Sequence, residues 1–280
     1  VRIDLHTHSS VSDGTDSPGE LVTAAAAAGV DVLALADHDT VSGWTEATEA
    51  AIAVGVELVP AIEISTTWRG ADIHLLAYWP DGADSPLAAM LAAIRAGRLT
   101  RIPQMLTALA AHGIRLSEEQ VRRAAGDSVS LGRPHVADAL VAAGVVGSRD
   151  EAFATWVGEG MPGHVPKRAP ALPHAIAVVR EAGGVPVIAH PWGRGSRPVL
   201  DQQAFADLVP AGLVGLEVDH LDHDPAARAR LGAIADELGL VATGGSDYHG
   251  TGKLGVELAS DTTSPDAYAA LVERHERGRP

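Results

Sequence analysis

An α/β fold, built on a parallel sheet or barrel and interrupted by an all-helical insertion, is predicted for this 280-residue chain by three observations. Short apolar runs alternate with helical windows of about a dozen residues, both before residue 84 and after residue 164, the pattern of βα units. The second run, Val32 to Ala36, is apolar throughout, as expected of a strand covered on both faces. Between the two alternating regions, residues 85–163 carry helical windows separated by Gly and Pro and no strand. That is too many helices for one βα connection. The expected organisation is therefore a barrel of residues 1–84 and 164–280, with residues 85–163 forming a helical cap beside its active end.

The first strand covers residues 2–6. Ser17 and Pro18 open a helix as N-cap and first helical residue, and Gly29 stops it after Ala28. The apolar second strand is followed by a helix over 42–54 with Gly55 behind it. Residues 57–64 and 72–79 read as the third and fourth strands. In the insertion, helices are expected over 87–98, 101–112, 118–125, 134–142 and 149–157. A helix over 171–181 ends at Gly183-Gly184. Then come a strand over 185–190, a helix over 201–208, a strand over 213–218, a helix over 226–238, a strand over 240–243 and a last helix over 265–276. Seven strands are expected in all.

Composition narrows the function classes. The hydrophobic fraction is 46% and no apolar run reaches the length of a membrane span. No basic and apolar leader precedes the first strand, so no signal peptide is expected. Cysteine is absent, which removes disulfides and thiolate chemistry and is compatible with the cytosol. The net charge of −15 argues against a protein that coats long nucleic acid or anionic membrane. A small phosphorylated ligand, held by metal ions and a few arginines, remains compatible with it.

The chemistry lies in the punctuation of the strands. Asp4-Leu5-His6-Thr7-His8 ends the first one, and residues two apart in a strand share a face. His6 and His8 thus project side by side, spaced to bind one cation. The pattern then recurs: Asp13 in a turn, His38 after strand two, Glu63 near the end of strand three and His74 on strand four. His190 closes strand five, and Asp247 and His249 follow strand seven. In a βα barrel the C-terminal strand ends share one face, so these groups are expected in one cavity. Nine candidates exceed the needs of one ion and imply a cluster of two or three, with Glu63 bridging. Mixed imidazole and carboxylate ligands suit Zn, Mn or Fe(II) better than Mg.

Taken together, the motifs resemble those of the PHP family, the polymerase and histidinol phosphatase superfamily of metal-dependent phosphoesterases. They are Asp4-Leu5-His6-Thr7-His8 with Ser12-Asp13-Gly14, Ala36-Asp37-His38-Asp39-Thr40, Ala61-Ile62-Glu63-Ile64-Ser65, His74-Leu75-Leu76, Ile188-Ala189-His190-Pro191 and Gly245-Ser246-Asp247-Tyr248-His249. The resemblance implies a distorted (β/α)7 barrel with two or three metals. It places His6, His8, Glu63 and Asp247 on a first ion, and Glu63, His74 and His190 on a second. Asp13, His38 and His249 go to a third; these three and Glu63 are the expected catalytic groups. An aspartate at position 13, where some members have histidine, resembles the subgroup with a helical insertion. That subgroup acts on nucleoside 3′,5′-bisphosphates and on the 5′ ends of short oligoribonucleotides. The segment Ser130-Leu131-Gly132-Arg133-Pro134-His135-Val136-Ala137 resembles it too.

The expected reaction is phosphoester hydrolysis by a hydroxide bridging two ions about 3.5–4 Å apart. Substrate-binding candidates are Arg133 and His135 in the insertion and Arg194 and Arg197 after His190. His220 and His223 after strand six are further candidates, as proton donors or phosphate ligands, and equally as solvated loop residues. Lys167-Arg168 ranks below these, and Trp192 fits either base stacking or packing over the barrel mouth. Asp37 and Asp39 flank His38; one could orient its ring, or Asp39 could cap the next helix. Competing readings are a histidinol-phosphate phosphatase and a non-catalytic metal-binding module. Asp13 and the insertion weigh against the first, the complete ligand set against the second. Amide hydrolysis of the kind that uses a carboxylated lysine is disfavoured, because Lys167 and Lys253 both fall in loops.

Overall fold

A computed structural model describes residues 1–81, 85–126, 131–166, 169–253 and 255–278. Ser130 and the Lys167-Arg168 pair lie outside these residues. Seven strands form one sheet in sequence order: β1 (Ile3–Thr7), β2 (Val32–Leu35), β3 (Glu57–Trp68), β4 (Ala71–Tyr78), β5 (Val185–Ile188), β6 (Gly215–Asp219) and β7 (Val241–Gly244). Among the described residues the α-helices are α1 (Pro18–Ala27), α2 (Trp44–Val54), α3 (Pro86–Ala111), α4 (Glu118–Ala125), α5 (Arg133–Ala142), α6 (Arg149–Ala152), α7 (Leu172–Glu181), α8 (Gln202–Leu208), α9 (Pro225–Leu238) and α10 (Pro265–Gly278). The chain divides into two compact units, Val1–Leu91 with Ala169–Pro280, and Ala92–Arg168. No helix among the described residues is long and apolar enough to cross a membrane.

The first unit is a barrel-like sheet with one reversed strand. β1, β2 and β3 are mutually parallel, as are β5, β6 and β7, but β4 is antiparallel to both neighbours. β3 continues past Ile64 to Trp68 and turns straight back, with Trp68 paired to Ala71. The two turn residues, Arg69 (φ 47°) and Gly70 (φ 86°), both have positive φ, as a type I′ hairpin requires. The sequence predicts a parallel sheet or barrel, and β4 is the strand that departs from it: it follows β3 with no helix between them. The Arg-Gly turn is the signal for reversal. The seam between β1 and the segment after β7 closes the barrel. Asp247 N donates to His6 O (2.8 Å), His8 N to Tyr248 O (2.9 Å) and Thr263 N to Ile3 O (2.9 Å).

Side-chain alternation sorts the core. Leu33 and Leu35 of β2 pack with Leu21, Val22 and Ala25 of α1 and with Ala47 and Ala51 of α2. Val32, Ala34 and Ala36 point the other way, into a cluster with Ile3, Leu5, Val59, Tyr78 and Val187. α1 starts where its capping box predicts: Ser17 accepts from Glu20 N, and the Glu20 carboxylate accepts from Ser17 N. The helical unit has its own core of Met105, Leu109, Val121, Val136, Leu140 and Val157. There the expected helices over 87–98 and 101–112 are one, α3. Gly97 lies inside the helix without breaking it, the Thr100 hydroxyl bonds to Ala96 O and Gly97 O, and Pro103 removes one ladder bond without ending the helix. Residues 149–157 form the short α6 followed by a π turn, Phe153–Val157.

The barrel seam depends on Asp4, which is fully buried. Its carboxylate accepts from Ser246 Oγ (2.6 Å), Ser246 N (3.0 Å), Ala259 N (2.8 Å) and His6 N (3.3 Å). Burial raises its pKa, opposed by those hydrogen bonds. Asp4→Ala strands several buried donors, at about 1–3 kcal/mol each. Urea unfolding of the metal-free variant is expected to show a loss of at least about 3 kcal/mol.

Candidate metal centre

Four side chains meet at the closed end of the seam. His6 Nε2 lies 3.1 Å from His8 Nε2, and both face Glu63 Oε2 (3.5 and 3.2 Å) and Asp247 Oδ1 (3.5 and 3.2 Å). Four ligands about 2.0–2.1 Å from a tetrahedral ion are spaced about 3.3 Å apart. The measured spacings match that figure. His6 Nδ1–H donates to Glu217 Oε1 (2.9 Å), which leaves a lone pair on Nε2. Glu63 Oε2 and Asp247 Oδ1 are buried and take no hydrogen bond. A lone pair and two orphaned carboxylate oxygens converging in a buried site fit a divalent cation.

Glu63 faces two ways. Its Oε2 belongs to the group above and also lies 3.1 Å from His38 Nδ1. Its Oε1 lies 2.7 Å from His74 Nδ1 and 3.0 Å from His190 Nε2. One oxygen toward each set is the arrangement of a bridging carboxylate. A third set gathers on Asp13: His38 Nε2 is 3.4 Å from Oδ2, and His249 Nε2 is 3.3 Å from Oδ1. His8 Nδ1 stands 3.7 Å from the same Oδ1. His249 Nδ1–H donates to Asp247 O (2.8 Å), which turns its Nε2 lone pair to Asp13. Eight of the nine expected ligands thus fall in three overlapping groups, and His190 joins them through Glu63 Oε1.

The reversed strand explains His74. It sits near the start of β4, paired with Ser65 of β3. In a parallel strand that position would lie at the far rim; the antiparallel direction brings it to the C-terminal ends of the others. His190 and Asp247 have positive φ, 28° and 53°, a strained backbone for residues with a Cβ. Glu217 holds the first: its Oε2 accepts from His190 N (2.7 Å) while its Oε1 accepts from His6. This buried glutamate on β6 positions two ligands, and the sequence reading gave it no role. The close approach of β1 to the β7 end requires Gly245, where a Cβ would lie 2.4 Å from His6 Cβ and 2.7 Å from His6 N.

The flanking aspartates hold loops. Asp37 accepts from Ser9 N (2.8 Å), Ser9 Oγ (2.6 Å) and Ser12 Oγ (2.7 Å), which shapes the turn that carries Asp13. Asp39 accepts from Ser65 N (2.7 Å) and Ser65 Oγ (3.0 Å), and Gly43, not Asp39, stands at the N-cap of α2. The substrate-binding candidates divide. Arg194 is at the centre, with Nη1 3.5 Å from His74 Nδ1 and Nη2 3.9 Å from Asp247 Oδ2. Arg197 instead stacks over Trp192, 4.5 Å from the ring centroid, while Trp192 Nε1 donates to Leu200 O. His220 is fully buried and not a solvated loop residue. Its Nδ1 accepts from Asp222 N (3.0 Å), so Nε2–H points to Asp247 Oδ2 (3.4 Å) and steadies that ligand. His223 has both nitrogens committed to backbone, donating to Val218 O (2.9 Å) and accepting from Trp192 N (3.2 Å). It ties the loops after β5 and β6 together and has no nitrogen left for a phosphate. Arg133 and His135 occupy the first turn of α5 in the helical unit, where His135 Nδ1 accepts from Gly132 N (2.9 Å). Lys253, read only as a loop residue, brings Nζ to 2.5 Å from Asp247 Oδ2.

Without ions, protons must balance these carboxylates. Burial disfavours a charged His8, but Asp247 and Glu63 outweigh it and push its pKa up to about 10. His6 is raised against burial by Glu217, Asp247 and Glu63. Glu63 and Asp247 are held well below the usual carboxylate range despite burial, by the histidines around them. Since the folded pKa of His8 exceeds its unfolded value, its contribution to stability is full below about 6.5 and is lost as pH rises to about 10. Metal-free protein is therefore expected to lose stability over that window, and metal-loaded protein to be insensitive to it. Calorimetric metal titrations in buffers of different ionisation enthalpy should show proton release on binding. Glu217→Gln weakens the hold on His6 and His190 and is expected to lower metal affinity about 10- to 100-fold.

Known proteins share this chain's sequence and fold. The PHP domain signature matches residues 4–120. The chain is 35% identical over 265 residues to the 3′,5′-nucleoside bisphosphate phosphatase of Chromobacterium violaceum, covering 95% of this chain and 93% of that protein. It is 36% identical to the 5′-3′ exoribonuclease of Haemophilus influenzae, over 89% of this chain and 90% of the relative. Its fold superposes with a TM-score of 0.80 on a crystal structure from Bifidobacterium adolescentis described as a metal-dependent phosphoesterase. That structure is 37% identical, with 97% of this chain and 96% of the other covered. The matched signature, the near full-length relatives and the superposed fold converge: the chain belongs to the PHP family of metal-dependent phosphoesterases.

Proposed function

We propose that this chain removes the 3′-phosphate from nucleoside 3′,5′-bisphosphates and trims short oligoribonucleotides from the 5′ end. The observation that carries the reading is the division of Glu63 between two ligand sets, with Asp13 gathering a third. Bound ions supply an activated water and neutralise the phosphoryl charge. Mn, Fe(II) or Zn suits the imidazole-rich donors, and up to three ions match the three groups. His6, His8, Glu63 and Asp247 would hold the first, Glu63, His74 and His190 the second, and Asp13, His38 and His249 the third.

The chain's own residues set the stage for in-line attack. Glu217, His220 and Asp37 fix the ligands and leave little reorganisation for the reaction itself. Arg194 stands over the His74 and Asp247 edge, where its fork can meet phosphate oxygens. Asp13, a third exposed, and His249 lie on the more open side of the cluster. The nucleotide class of substrate is supported by the two near full-length relatives named for a nucleoside bisphosphate and for 5′-3′ RNA degradation.

Phosphate release from a nucleoside 3′,5′-bisphosphate and from histidinol phosphate, with mononucleotide release from short 5′-phosphorylated RNA, tests the reading directly. The first two are expected to be turned over at least about tenfold more efficiently, a difference of about 1.4 kcal/mol. A preference for histidinol phosphate would overturn it. Chelation is expected to abolish activity, with Mn, Fe(II) or Zn restoring it. Asp13→Ala is expected to hold one ion fewer per chain by elemental analysis, and to lower kcat by about 100-fold or more.

A further inference from the structure

Lys253 belongs to no ligand group, yet it reaches the centre. It sits in the loop Gly250-Thr251-Gly252-Lys253 that follows His249. The loop is fastened to the turn that carries Asp13, with Thr251 N donating to Thr15 Oγ1 (2.9 Å) and Thr15 N to His249 O (3.2 Å). The lysine is therefore aimed, and its Nζ ends 2.5 Å from Asp247 Oδ2. That oxygen is turned away from His6 and His8, which face Oδ1. Arg194 approaches the same oxygen from beside His74. Burial is graded across the site. The side chains of His6, His8, Glu63 and Asp247 are at most 1% exposed, whereas those of Lys253 and Arg194 are 28% and 52% exposed. The solvent-facing side of the centre thus carries two cations in a chain whose net charge is −15.

Asp247 Oδ2 does not need both of them. His220 Nε2–H already points at it. A cation held beside His6 and His8 would share the charge of Asp247 and weaken its pull on Lys253, whose three donors would then serve another anion at the open face. We propose that Lys253, with Arg194 beside it, binds the phosphoryl group under attack and then the inorganic phosphate product. This rests on the phosphoesterase reading above for the identity of the anion. A lysine suits the task because a compact charge on a flexible stem can follow phosphate oxygens as they flatten in the transition state.

The rival account is that Lys253 only braces Asp247. Calorimetric titration of inorganic phosphate into the metal-loaded full chain separates the two, with metal content measured in parallel. Lys253→Gln is expected to keep the wild-type metal stoichiometry and bind phosphate about 10- to 100-fold more weakly, as loss of a charge-assisted hydrogen bond implies. Lys253→Arg should recover part of that affinity, and Arg194→Gln should show the same defect as Lys253→Gln. Unchanged phosphate affinity in Lys253→Gln, loss of an ion from that variant, or no phosphate binding by the wild type would each overturn the proposal. Wild type that binds phosphate through Lys253 but hydrolyses no phosphoester would leave the phosphate site standing and overturn the proposed function, and with it the role of Lys253 toward a group under attack.

Discussion

A fully buried carboxylate with five imidazoles facing it is the constraint on which this structure turns. Glu63 is fully buried in the middle of β3, with His6, His8 and His38 toward one oxygen and His74 and His190 toward the other. A lone buried charge of this kind is strongly unfavourable. It is tolerated because cations, as protons or as metal ions, can occupy both sides. Every strand that touches the centre is arranged around that requirement. β1 brings two histidines to its end, β4 reverses to deliver a third, and the segments after β2 and β5 each add one more.

A second layer keeps the first in place. Glu217 joins the ring of His6 to the backbone of His190, two ligands from strands that are not neighbours in the sheet. His220 steadies Asp247, and Asp37 and Asp39 hold the loops on either side of His38. The positive φ angles at His190 and Asp247 are the cost of aiming those side chains inward, and backbone hydrogen bonds hold both residues there. Preorganisation of this sort matters for phosphoryl transfer, where positioning and electrostatics carry most of the catalysis.

Much of this was legible in the sequence. Histidines and carboxylates at successive strand ends can be read directly, because strand periodicity and barrel topology dictate where such residues point. Asp4, Asp37 and Asp39 were legible only as neighbours of ligands. Whether an aspartate holds a ring, a helix or a loop depends on serines far along the chain, and single-residue patterns do not carry that. Glu217 was hidden by its place inside an apolar strand, although a charged residue between Leu216 and Val218 is itself unusual and could have marked it. The reversal of β4 rested on one dipeptide, Arg69-Gly70, against a strand that otherwise looks like its parallel neighbours. His223 and Arg197 looked like substrate ligands because they sit in active-side loops, but loop position does not tell which way a side chain turns. Lys253 was passed over for the same reason in reverse.

The seam between β1 and the β7 end is also the floor of the metal site, with Gly245 against His6 and Asp4 against Ser246. Ion binding and the stability of the barrel are therefore coupled there, since anything that binds only the folded chain deepens its stability. A chain without its ions is therefore expected to open, and to be degraded, more readily than a loaded one.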